Sequence, residues 1–255
     1  MLNEMEKMNR ILKRRRRRRL LRFAFLSVFL AAAGAVLINF FFIISVISID
    51  NNTRYDSIEL LEGCNLNIGN GLFTFNRDSL KKSITIEYPY VKSMDIKIRL
   101  PDKLEVKVLS TEPYIAIKLD DSNYLYLDSD LKVLEKTTNY NIVPNLLIIV
   151  GLDITEYDIG LPLNEDINIE VDTVKNIIAS LKEYNLVDGL TLLDFTKKYN
   201  LYFILEDRIN VEIGNGEDLD KKINLLVNIM ERNKNYEKMV INVRNYKEGR
   251  CRIIE

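Results

Sequence analysis

The sequence predicts an α+β protein: a single N-terminal transmembrane helix, a β-α-α-β-β module, and then a mixed-strand β-domain with two helices. Three observations predict it. A run of 27 residues from Phe23 to Ile49 contains no charged side chain. Beyond it, stretches with apolar residues at every second position alternate with stretches at helical spacing. The net charge of −1 hides a basic start: in residues 1–22 ten Lys and Arg face Glu4 and Glu6, which gives +8 there and leaves −9 for the remainder.

The apolar run comes first. Roughly 20 apolar residues span a bilayer, so the run is long enough for one crossing. A cleavable signal competes, because Arg-rich stretches precede those too and Ala31, Ala32 and Ala33 are small. Cleavage there would leave Val36 to Ile49 as an apolar new terminus, and the core exceeds the roughly 7–15 residues of a signal. The reading is therefore an uncleaved anchor over residues 23–42. Arg14, Arg15, Arg16, Arg17, Arg18 and Arg19 precede it. Such a run is costly to move across a bilayer, so residues 1–22 form a cytoplasmic tail and the chain from Asp50 onward is exported. Its place beside an apolar helix suits contact with anionic lipids and argues against nucleic acid. Asn39 is the one strongly polar side chain in the run.

The end of the run, Ile43 to Ile49, is dominated by β-branched residues and reads as a first strand. Asn51-Asn52 turns the chain. Thr53-x-x-Asp56 then starts a short helix carrying Ile58, Leu60 and Leu61 and ending at Gly63. A glycine-bearing turn follows at Asn65 to Phe73, and Asn76 caps a second helix reaching about Ile84. After Pro89 the period becomes two. Ile96, Ile98 and Leu100 alternate with charged residues, Pro101-Asp102 turns, and Leu104, Val106 and Val108 continue the alternation, so this stretch is a hairpin with one wet face.

That order, with Gly69-Asn70-Gly71-Leu72-Phe73, Tyr88-Pro89-Tyr90-Val91-Lys92-Ser93, Arg99 to Leu104 and Glu112-Pro113-Tyr114-Ile115-Ala116 in sequence, resembles the POTRA domain of the FtsQ/DivIB family of bacterial cell-division proteins. One departure is that the Gly-Asn pair after the family's first strand is Asn51-Asn52 here. The resemblance implies a POTRA domain over residues 43–110 and a β-domain over 111–246, with a C-terminal tail at 247–255.

Within the second of these, Tyr124 to Leu134 reads as a hairpin with Ser129-Asp130 at its tip. The family carries Gly where Asp130 stands, so Asp130 is expected to take the left-handed backbone there. Pro144 to Gly151 reads as a buried strand. Val171 to Tyr184 is helical through Val174, Ile177, Ile178 and Leu181. Strands follow at Leu190 to Phe195, Tyr199 to Leu205 and Ile209 to Ile213. A helix around Lys221 to Leu226 and a strand from Lys238 to Arg244 complete the match.

Catalytic chemistry is poorly supplied. Without histidine there is no Ser-His-Asp, Cys-His or His-metal arrangement, and two separated cysteines make no zinc cluster. For Cys64 and Cys251 the sequence leaves both a bridge and two thiols open. Ser79-x-x-Lys82 has neither Lys-Thr-Gly nor Ser-Asp-Asn beside it. Asp120-Asp121 and Glu217-Asp218 read as loops or helix starts. Gly214-Asn215-Gly216 lacks the Gly-Lys-Ser/Thr of a phosphate loop. No enzyme activity, cofactor, metal, nucleic acid or small-molecule substrate is expected.

What remains is a membrane-tethered scaffold. The resemblance implies partners among single-pass division proteins, FtsB/DivIC-like and FtsL-like, with localisation at the septum and a part in controlling septal peptidoglycan synthesis. It also implies that the late strand holds the FtsB/DivIC contact, which assigns partner binding to Met239, Val240, Ile241, Asn242, Val243 and Arg244. The alternative class is a POTRA-containing accessory protein of secretion, which handles polypeptides in the envelope.

Overall fold

The computed structural model describes residues 22–34, 36, 41–138, 143, 145–163, 169–197, 200–234 and 237–254. The Arg14 to Arg19 run, Asn39, Pro144 and Tyr199 lie outside them. Residues 22–34 are helical (α1), and Phe23, Phe25, Leu26, Val28, Phe29 and Leu30 are all exposed on it. Among the described residues no helix is long and apolar enough to cross a membrane; the span expected at 23–42 lies partly outside them.

The chain divides into two compact units. The first takes the described residues up to Asn51, with Tyr55–Lys82 and Met94–Val108; the second takes Asn52–Arg54, Ser83–Ser93 and the chain from Leu109.

A three-stranded sheet has the order β1-β3-β2, with β1 (Val46–Asn51) parallel to β3 (Lys103–Ser110) and β2 (Val91–Arg99) on the other side of β3. The first strand thus begins three residues later than the β-branched run suggests. Residues 42–44 are instead held by the loop that follows: Leu72 N–H donates to Phe42 O (2.8 Å), Ile44 N–H to Asn70 O (2.8 Å) and Gly69 N–H to Ile44 O (2.8 Å). Gly69 turns that loop with φ +95°, where a Cβ would be strained.

The helices α2 (Ser57–Gly63) and α3 (Arg77–Glu87) start where local chemistry demands. Asp56 Oδ2 accepts from Ile58 N–H at 3.3 Å, and Asn76 Oδ1 accepts from Asp78 N–H at 3.0 Å and Ser79 N–H at 3.3 Å. Such caps contribute about 1 kcal/mol each. Leu60, Cys64, Leu66, Leu72, Ile96, Leu104 and Val106 are buried in the first unit, and Cys64 Sγ lies 3.9 Å from Met94 Sδ. The two-residue alternation expected of the hairpin is seen in the burial of Ile96, Leu104, Val106 and Val108, but Leu100 lies in the turn beyond β2 and is exposed.

The second unit is built on one nine-stranded sheet of order β12-β11-β10-β9-β8-β7-β4-β5-β6. Its strands are β4 (Ile115–Lys118), β5 (Tyr124–Leu127), β6 (Val133–Thr137), β7 (Leu147–Val150), β8 (Leu190–Asp194), β9 (Leu201–Leu205), β10 (Ile209–Gly214), β11 (Met239–Asn242) and β12 (Arg250–Ile253). Parallel neighbours need a long crossover: α4 (Ile169–Glu183) lies in the one between β7 and β8, and α5 (Leu219–Arg232) in the one between β10 and β11. Val171, Val174, Ile177 and Leu181 of α4 and Ile223 and Leu226 of α5 join Phe203, Val211 and Ile241 in a single core. Phe203, fully buried on β9, contributes about 2–3 kcal/mol by leaving water.

The hairpin tip departs from expectation. The left-handed residue is Leu131, φ +59°, rather than Asp130. Asp128 decides this, because its Oδ1 accepts from the N–H groups of Asp130 (2.9 Å) and Lys132 (3.0 Å) and so winds the chain tightly around Leu131. Burial of the Leu131 side chain offsets the cost of that backbone. Lys132, itself buried, donates from Nζ to Thr85 O (3.1 Å) and Val91 O (2.7 Å), both within the second unit.

Candidate functional site

The residues expected to bind a partner fall on β11 and just beyond it. Parallel to β10, β11 places Met239, Ile241 and Val243 in the core and leaves Val240 and Asn242 half-buried on the other face. Val240 and Ile241 do face opposite sides. The strand is not an edge, however. One side is taken by β10 and the other by β12, antiparallel in the register Val240↔Arg252 and Asn242↔Arg250. The stretch after Arg244, expected to be only a polar tail, turns back and forms the outermost strand. Four residues with both Arg and Ile among them gave no period long enough to see.

That return is built by specific contacts. Glu212 Oε2 on β10 accepts from Asn242 Nδ2 at 2.6 Å and pairs with the Arg244 guanidinium at 3.2 Å. Arg244 crosses Gly214, where a Cβ would come within 3.1 Å of its Cγ. Asn245 closes the turn, its Oδ1 accepting from Lys247 N–H (3.0 Å) and its backbone O from Glu248 N–H (3.1 Å). Gly249 then passes against α5 and delivers the chain into β12.

The geometry of β12 follows from one hydrogen bond. Ile254 N–H donates to Lys238 O at 3.1 Å. Backbone groups of successive residues in an antiparallel ladder alternate in direction, so Arg252 and Arg250 also face β11, and the N–H and C=O of Cys251 and Ile253 face outward. Side chains follow the register too. Cys251 and Ile253 lie opposite Ile241 and Met239 on the helix-covered face, while Arg250 and Arg252 lie opposite Asn242 and Val240 on the other. All four residues of β12 are exposed. The edge therefore offers two outward backbone donor–acceptor pairs, an apolar row on one face and a basic row on the other. The opposite edge of the sheet is partly covered: Val133 N–H donates to Leu161 O (2.9 Å) and Gly160 N–H to Val133 O (2.8 Å).

The groups weighed for chemistry are engaged locally. Asp120 accepts from Ser122 N–H and Asn123 N–H, both at 2.8 Å, and Asp121 pairs with Lys118. Asp218 pairs with Lys221 at 2.7 Å, and Glu217 accepts from Asn215 Nδ2. Buried Lys222, whose ammonium is pushed below its ordinary value by that burial, donates to Asn215 O and Oδ1 and pins the Gly214-Asn215-Gly216 loop. Ser79 lies in the first turn of α3. Among the described residues no group of His, Cys, Asp and Glu could hold a metal ion. Cys64 is buried and Cys251 exposed, both as thiols.

Residues 42–109 match the family described as "POTRA domain, FtsQ-type". About three quarters of the chain is similar to the protein named cell division protein DivIB from Clostridium tetani (24% identical, covering 74% of this chain and 70% of that one). The corresponding figures are 25%, 75% and 73% for Clostridium botulinum strain Hall, and 26%, 74% and 74% for Clostridium acetobutylicum.

Proposed function

We propose that this chain, a POTRA protein of the FtsQ/DivIB kind related to bacterial cell-division proteins, works as a non-enzymatic scaffold tethered to the cell membrane. In this reading the N-terminal tail through residue 22 is cytoplasmic, with Arg14 to Arg19 against anionic lipid. One helix over residues 23–42 crosses the membrane, and residues 43–110 and the sheet domain from residue 111 through β12 work outside it at the septum. The apolar side chains displayed all around α1 support the crossing, since a helix apolar on every side needs an apolar surrounding.

The observation that carries the proposal is the open β12 edge. A partner strand adds to such an edge through backbone hydrogen bonds, and pockets or charges at alternate positions give it specificity. The partner is a short strand from an FtsB/DivIC-like ectodomain, which brings in an FtsL-like protein and through both bears on septal peptidoglycan synthesis. Its side chains alternate: apolar beside Cys251 and Ile253, acidic beside Arg250 and Arg252. Met239 to Arg244 carry the docking strand, with Val240, Asn242 and Arg244 at the margin of the contact. Tethering makes a weak contact sufficient, because membrane-bound partners meet at raised effective concentration.

Ile253→Pro tests this. It removes an outward N–H without taking a hydrogen bond from β11, so affinity for an FtsB/DivIC-like ectodomain should fall at least tenfold while thermal unfolding is little changed. Undiminished affinity in the folded variant overturns the proposal.

A further inference from the structure

After residue 42 the described part of the first unit exposes six large apolar side chains: Ile43, Val46, Ile58, Ile68, Phe73 and Leu100. Ile58 sits on α2; the other five gather at one end of the sheet, where β1 and β3 begin. Two segments meet there. The loop holding Ile68 (71% exposed) and Phe73 (53%) is hydrogen-bonded to residues 42–44, and the β2–β3 turn holding Leu100 (64%) is bonded to the next residue, Ser45 N–H donating to Asp102 O at 2.9 Å. The Phe73 ring meets Phe42 edge-on at 5.8 Å.

Residues 42–45 also follow directly on residues 23–42, the part of the uncharged run read as the anchor. An extended chain rises about 3.3 Å per residue, so both segments lie within about 10 Å of the point where an anchor ending near Phe42 emerges. That is the depth of the headgroup and acyl boundary into which interfacial side chains reach, about 5–10 Å. The cations beside the turn are already matched. Arg99 Nε and Lys103 Nζ pair with Glu105 at 3.0 and 3.3 Å, and both hold its carboxyl below the usual range. Apolar burial, not charge, is therefore what this end can gain from lipid.

We propose that this end of the first unit is a lipid-contact surface, with Ile68, Phe73 and Leu100 seated in the interfacial zone of the membrane that anchors the chain. The inference rests on the anchor reading of residues 23–42. Docked in this way, the unit is fixed in tilt by three points besides the covalent tether.

The test uses the full chain in nanodiscs of zwitterionic phosphatidylcholine, with Cys251→Ser and buried Cys64 left in place. Single cysteines are introduced by Ile68→Cys, Phe73→Cys, Leu100→Cys, Phe29→Cys and Lys107→Cys and labelled with an environment-sensitive dye. Lys107, four residues along β3 from Lys103, reports the wet end. Nitroxide lipids labelled at the headgroup should quench positions 68, 73 and 100 at least threefold more than 107, and anionic lipid should not change this. A nitroxide deep in the acyl chain should quench 29. If 29 is quenched while 68, 73 and 100 match 107, the lipid surface is refuted and the anchor stands, whether that end then meets water, another protein or a second copy. If 29 is unquenched, anchor and inference fall together.

Discussion

Gly249 lies so close to Ile229 that a Cβ on it would come within 2.6 Å of the Ile229 Cδ1 and 3.0 Å of the Leu225 Cδ2. This approach presses the segment after β11 onto α5 and sets where β12 can run. A Cβ would also stand 3.2 Å from the Leu225 Cγ, so turning the Ile229 tip aside does not by itself make room for a valine; the overpacking costs about 1–3 kcal/mol, and lifting the loop and β12 away relieves it. Gly249→Val should therefore speed hydrogen exchange at the Arg252 and Ile254 amides, which face β11, with little change in the exchange of β9 and β10. Partner binding should fall with it.

Arg252, beside an Arg250 that pairs with Glu248 at 3.1 Å, makes one face of the free edge basic. Reversing one charge places it against the acidic residues proposed in the partner strand. Arg252→Glu should weaken binding about tenfold, or about 1.4 kcal/mol, and flatten its dependence on salt. Arg252→Gln should fall between. Isothermal titration at two ionic strengths measures both.

Lys132 gives a pH prediction. Burial pushes its ammonium below the ordinary 10.5, with Asp128 opposing the shift. Between the lowered native value and 10.5 the unfolded chain binds more protons than the native one, so this residue's contribution to stability rises with pH there and is constant below. The neutral amine still has two N–H groups for Thr85 O and Val91 O. The melting temperature of the parent chain minus that of Lys132→Met should therefore increase as pH rises toward 10.5; a difference that stays flat or falls contradicts the assignment.

The two thiols should report on the fold separately. Cys251 is exposed on the edge, though partial burial pushes its thiol up, so alkylation should be slow at neutral pH and faster as pH rises. Cys64 should react only on unfolding. Partner addition should protect Cys251 alone, which mass spectrometry of the labelled chain reads directly.

Much of the local structure was legible because its causes are local. Asp56 and Asn76 mark helix starts through their own side chains. The alternation of Leu104, Val106 and Val108 records a sheet with one dry face, and the spacing of Val171, Val174, Ile177 and Leu181 records a buried helix face. The resemblance to FtsQ/DivIB proteins was legible in the order of short local motifs, and residues 42–109 match the FtsQ-type POTRA domain.

The open edge proposed for docking was not legible. Whether Met239 to Arg244 are interior or edge depends on what lies beside them, and that strand is Arg-Cys-Arg-Ile, too short and too charged to announce itself. Its position is fixed by the Glu212–Arg244 pair and by the Gly249 approach to Ile229, contacts between residues 20 to 32 positions apart. The sequence by itself determined the charge division, the apolar run and the period of each element, because each is a property of neighbours along the chain. Only the tertiary structure decided which strand is outermost and which apolar side chains gather beside residues 42–45, because pairing and burial are set by residues that meet in space.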